Sequence, residues 1–141
     1  MNTKKLLIAF VVVFILLEVA NYLVHSVILA STYSAEDISK IFRPMAEMES
    51  KMWVMWVVDI IWSFFFVFIF AKGCENKGWM EGLRYGFYMA LFINLPAAYY
   101  QYAVYPLPYS LTFQWFIYGF IQYLILGVVV SLLYKTEVKT A

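Results

Sequence analysis

Residues 6–29 read LLIAFVVVFILLEVANYLVHSVIL, and the length and regularity of this stretch decide the fold. About 20 helical residues, each rising 1.5 Å, cover a hydrocarbon core about 30 Å thick, so the segment is long enough to cross a bilayer. Lipid offers no hydrogen bonds to a bare backbone, so a crossing segment is either a helix or a strand of a closed barrel. Barrel strands alternate polar and apolar residues over about ten positions. The run from Val11 to Leu17 does not alternate, which makes the segment a helix. Three further stretches of the same kind follow at 52–71, 82–102 and 113–134. The expected architecture is all-α: one polytopic membrane domain over residues 1–141, with four transmembrane helices in a compact bundle.

Composition points the same way. The chain is 65% hydrophobic, 21% aromatic and 13% charged, with a mean hydropathy of +0.76. Soluble domains run at about 45–50% apolar and about 25% charged. A net charge of +1 argues against nucleic acid as a partner. Cys74 is the one cysteine, which excludes an intrachain disulfide and any CxxC redox or zinc arrangement. Lys4 and Lys5 ahead of an apolar run resemble the opening of a signal peptide. The run is too long for one and carries Glu18, and Thr32 stands where a lipoprotein would need cysteine. An uncleaved membrane anchor is expected.

Basic residues set the expected orientation. Lys4, Lys5, Lys72, Lys77, Arg84, Lys135 and Lys139 fall on one side. Lys40, Arg43 and Lys51 fall on the other, diluted by Glu36, Asp37, Glu47 and Glu49. Positive residues stay cytoplasmic, so both termini are expected inside a plasma or inner membrane. Trp53, Trp56 and Trp115 then sit at the outer interface and Trp79 at the inner one. In the first outer loop Ser34 reads as a helix cap ahead of Glu36 and Asp37. Ile38, Ile41, Phe42 and Met45 recur at helical spacing, so a short amphipathic helix is expected on the outer surface, ended or kinked by Pro44. Gly82, Gly86, Gly119 and Gly127 suit close helix approach in lipid.

The polar residues inside the apolar stretches carry the functional reading. Glu18, Asn21, Tyr22 and His25 fall within an arc of about 100° on one helix face. Counted inward from the outer ends, Asn21, Asp59, Asn94 and Gln122 lie about seven to nine residues deep, roughly 10–14 Å at helical rise. Four helices thus place polar groups in one slab, with His25 above it and Glu18 below. Amides in a bundle commonly serve as interhelical glue, at about 0.6 kcal/mol each. Carboxyl groups cost more, about 2.5–3.5 kcal/mol at a helix centre on insertion scales. Glu18 and Asp59 should therefore face the bundle interior, paired or protonated. His25, the one histidine, is placed to pair with Asp59. Glu18 and His25 stand two turns apart, about 10.5 Å along the axis, and no metal-ligand spacing is present, so no metal and no cofactor is expected. Pro96 frees the carbonyl of Phe92, giving either a plain kink or a local opening beside Asn94. No nucleotide loop or nucleophile constellation occurs.

Four helices with one acidic residue midway along the first, Leu17-Glu18-Val19, resemble the small multidrug resistance transporters. In those proteins such a carboxylate exchanges protons for cations. The likeness rests on Glu18 alone; this chain is longer and has a polar first loop. Lys72-Gly-Cys-Glu75 and Glu81-Gly-Leu-Arg-Tyr-Gly86 look like small bacterial membrane proteins without an assigned role. The expected function is an outward-accessible polar pocket that binds or translocates a small polar or cationic ligand, or protons. Glu18, His25 and Asp59 would act, with Asn21, Asn94 and Gln122 positioning them. The alternative is an accessory subunit or homo-oligomer in which polar groups lock helices and a partner covers the glycine faces. An intramembrane enzyme using His25 and Asp59 as acid and base comes third.

Overall fold

A computed structural model describes residues 2–135; Lys139, counted in the charge argument, lies outside them. Every element among the described residues is helical. Helix α1 (Thr3–Asn21) runs on without a break into a π-helical segment (Tyr22–Ile28). The single turns α2 (Ala30–Tyr33), α3 (Glu36–Ser39) and α4 (Met45–Glu49) follow. Next come α5 (Met52–Gly73), α6 (Trp79–Met89), a second π segment (Ala90–Asn94), α7 (Leu95–Val104) and α8 (Tyr109–Leu133).

Thr3–Ile28, Met52–Gly73 and Tyr109–Leu133 are long and apolar enough to cross a membrane, with mean hydropathies of 2.6, 2.3 and 2.2. The remaining expected stretch, 82–102, is helical throughout but in three pieces. Pro96 stands in the first turn of α7. Having no N–H, it leaves the carbonyl of Phe92 free, and the turn ahead of it re-pairs at the wider i→i+5 spacing.

The two ends of the described residues meet. Asn2 donates its backbone N–H to the Tyr134 hydroxyl at 3.4 Å, and Lys5 Nζ donates to the Lys135 carbonyl at 3.2 Å. Cys74 Sγ lies 3.9 Å from the Tyr134 carbonyl, so α5 finishes at this terminal end. At the opposite, loop end the Tyr99 and Tyr109 hydroxyls stand 3.4 Å apart. The α6–α7 column therefore runs antiparallel along α8. Helix α8 is the hub, packed on α1, α6 and α7, while α5 packs mainly on α1.

Glycines set the tightest of these contacts. A Cβ added at Gly82 would strike the Gly127 carbonyl, one at Gly127 the Gly82 carbonyl, and one at Gly86 the Tyr123 carbonyl. Without them the backbones of α6 and α8 approach closely, which is where packing attraction in lipid comes from. The glycine faces of α6 and α8 pack on each other within the chain.

Two apolar clusters bracket the molecule. At the terminal end Leu6, Ala9, Val13 and Leu17 of α1 meet Phe66, Val67 and Phe70 of α5 and Leu126 and Val130 of α8. At the loop end Leu29, Ile38, Leu107 and Leu111 pack together, with Ile41, Phe42 and Trp115 against them. The expected amphipathic helix in the first loop is replaced by two single turns. Ser34 Oγ donates to the Ala30 carbonyl at 2.9 Å instead of capping α3. Pro44 forces an extended break between α3 and α4, so Ile38 turns down into the loop-end cluster while Met45 is left 66% exposed. The loop is a roof, not a float.

Candidate functional site

Between the two clusters lies a cleft whose walls carry the polar residues. Gln122 Nε2 on α8 donates to Asn21 Oδ1 at 3.1 Å, and Asn21 Nδ2 donates to Asp59 Oδ2 on α5 at 3.5 Å. One amide thus ties three helices together. Glu18 stands nearly one turn before Asn21 on the same face, close enough to Asp59 for the two carboxyl groups to interact. Glu18 Oε1 is buried with no partner. Ser63 Oγ, one turn further along α5 than Asp59, is likewise buried and unpartnered. An orphaned buried acceptor costs about 1–3 kcal/mol, so this corner is polar beyond what holding helices requires.

The expected pairing of His25 with Asp59 is not formed. His25 Nδ1 lies 2.7 Å from the Tyr33 hydroxyl, and Trp115 Nε1 donates to that same hydroxyl at 2.7 Å. The cause is local. Bonding at i→i+5 takes more residues per turn, so side chains beyond Asn21 fall behind the α-helical stripe and His25 swings toward the roof. Burial pushes the Tyr33 hydroxyl above its ordinary range, partly offset by the Trp115 bond, so it keeps its proton. An indole N–H only donates. Tyr33 therefore accepts from Trp115 and shares a second hydrogen bond with His25 Nδ1.

Asn94, at the end of the second π segment, donates Nδ2 to the Phe116 carbonyl at 2.8 Å. Its side chain fills the space over Gly119, where a Cβ would strike the amide. The proline-linked opening thus sits beside Asn94, and Asn94 pins it to α8.

The cleft has a volume of about 260 Å³, and Asn21, His25, Asp59, Asn94 and Gln122 line it together with Leu17, Val24, Trp62, Ile93, Gly119 and Tyr123. A second cavity of about 280 Å³ stands over it, lined by His25, Phe42, Asn94, Ala97, Ala98, Gln101 and Trp115. His25 and Asn94 line both and form the seam between them. Five of the six expected residues share the cleft wall; Glu18 stands behind Asp59. Among the described residues no Lys or Arg lies on the wall of either cavity. Among the described residues no group of three His, Cys, Asp or Glu side chains gathers to hold a metal ion.

Sequence reading passed over Trp62 and Tyr123 of the cleft and Tyr33 of the roof. Trp62 stands three residues from Asp59 on α5 and Tyr123 beside Gln122 on α8, but each reads as one more aromatic in an aromatic-rich helix. It also passed over Glu81, which is buried. Its carboxylate oxygens accept the backbone N–H groups of Glu75 and Lys77 at 2.6 and 2.7 Å, fastening the turn between α5 and α6. No family model, curated protein or solved structure matches the chain.

Proposed function

We propose that the protein crosses a cell membrane four times with both termini in the cytoplasm, and that its cleft takes a small polar or cationic ligand, or protons, from the outer side. The first and last described residues lie side by side, which calls for an even number of crossings between them. The α6–α7 column, lying along α8, supplies the fourth. Lys4, Lys5, Lys72, Lys77, Arg84 and Lys135 gather toward the terminal end, the side that positive residues keep in the cytoplasm. The terminal-end cluster closes the bundle below the cleft, so access comes from the loop end.

The function rests on one observation: Asp59 stands on the cleft wall beside Asn21, which Gln122 holds in turn, with an orphaned Glu18 oxygen nearby. Apolar residues would hold three helices together without the insertion cost of two acids. Two like charges in contact in an apolar surround repel strongly, so the pair suits one proton held between them. Such a pair exchanges that proton with whatever enters.

Tryptophan emission tests this reading, because Trp62 shares the cleft with Asp59. Emission of the purified chain should respond to pH, and Asp59→Asn and Glu18→Gln should each abolish the response while leaving helix content intact. If both variants change only the melting temperature, the cleft reading fails. In that case the accessory-subunit reading gains, and one observation favours it: residues 52–58 of α5 are exposed on every side.

A further inference from the structure

We infer that the cleft binds a singly charged organic ammonium ion with an apolar or aromatic body, its nitrogen on Asp59 and its body against Trp62 and Tyr123. This rests on the cleft reading above and names its ligand.

Charge comes first. Among the described residues Asp59 is the one acidic side chain on the walls of the two cavities, and no Lys or Arg lines them, so an anion meets no counter-charge there. The Asn21 amide reaches Asp59 Oδ2 only at 3.5 Å, the limit of a hydrogen bond, so this oxygen has capacity for a stronger N–H donor.

The walls then decide between an organic and an inorganic cation. Hard metal cations take six or more oxygens, whereas Leu17, Val24 and Ile93 make much of this wall apolar. Trp62 lies one turn along α5 from Asp59, and Tyr123 of α8 meets its ring edge-on, with centroids 5.3 Å apart and an interplanar angle of 86°. Trp62 is also stacked on Phe66 at 4.8 Å, which holds the indole in place. Two fixed aromatic rings on the same wall as a carboxylate give the body of an organic cation apolar contact. The overlying cavity offers the same chemistry along the way in, through Phe42 and Trp115. A volume of about 260 Å³ admits one ring and a short ammonium arm.

Benzylammonium, benzyl alcohol and benzoate share one ring and differ in charge, so calorimetric titration of the full chain in detergent at pH 7 tests the inference. Benzylammonium should bind at least tenfold more tightly than benzyl alcohol, and benzoate should give no saturable heat. Asp59→Asn should weaken benzylammonium tenfold or more and bring it level with the alcohol. Trp62→Leu keeps the carboxylate and should weaken benzylammonium several-fold, with Trp62→Phe recovering part of the loss, so the test survives if Asp59→Asn does not fold. Equal affinity for alcohol and ammonium overturns the inference, as does no binding by any of the three. Sodium chloride alone giving saturable heat that Asp59→Asn removes would assign an inorganic cation and overturn it too. If the emission response to pH survives while charge preference is absent, only the ligand class fails; if both are absent, the cleft reading falls with it.

Discussion

At the scale of single residues the Asn21 amide does the most, because it accepts from Gln122 and donates to Asp59. Gln122→Leu removes one interhelical bond and should cost about 0.6 kcal/mol, with about 1.7 kcal/mol as the upper end for such bonds in membranes. Asn21→Leu removes two bonds and should cost more. Unfolding midpoints in detergent check the order, and a larger loss for Gln122→Leu would show that Asn21 is not the centre. Tyr33→Phe removes the partner of both His25 and Trp115. Because His25 is the one histidine, its ring nitrogens give an unassisted NMR assignment, and the Nδ1 signal should move in this variant. The sign of the pH effect follows from the raised Tyr33 hydroxyl. Its contribution to stability is complete below the ordinary tyrosine value of about 10 and is lost as pH rises through the raised value.

At the scale of elements, the α6–α8 contact and the two π segments matter most. Gly127→Ala places a methyl group against the Gly82 carbonyl and the Gly86 backbone, atoms that cannot give way without moving the helix. Overpacking of this kind costs about 1–3 kcal/mol. Gly73→Ala meets nothing within 4 Å and should change stability by about 0.5–1 kcal/mol at most, in the favourable direction expected of alanine in a helix. Similar losses in the two variants would mean that the α6–α8 approach is not set by glycine. Pro96→Ala restores an N–H to the Phe92 carbonyl and should let Ala90–Asn94 tighten to α-helix. Asn94 would then leave the Phe116 carbonyl. The emission response to pH should weaken while helix content holds or rises, and an unchanged response would separate the π segment from the cleft.

At the scale of the whole molecule the chain is two closures around one opening: an apolar plug at the terminal end, a roof of loop residues at the other, and the cleft between them. Orientation in the membrane is a property of this whole. A membrane-impermeant maleimide should reach Cys74 only from the cytoplasmic face. In a Cys74→Ser background, Ser39→Cys, exposed on the roof, should be labelled in intact cells. The opposite pattern would invert the proposed topology.

The amino-acid sequence by itself determined that this chain is helical, because apolar runs of membrane length must satisfy their backbone internally. Thr3–Ile28, Met52–Gly73 and Tyr109–Leu133 match the expected stretches to within a few residues. Counting at helical rise also assigned Asn21, Asp59, Asn94 and Gln122 to one level, and the four line the same cleft. Depth is local arithmetic; direction is not. That His25 turns to Tyr33 and not Asp59, that Trp62 and Tyr123 line the cleft with the acid, and that Ile38 folds down under the roof were decided by tertiary structure. The physical reason is the same in each case. Lipid is indifferent to which apolar side chain it touches, so a side chain's partner is chosen by residues far away in the chain and by π turns that rotate whole faces.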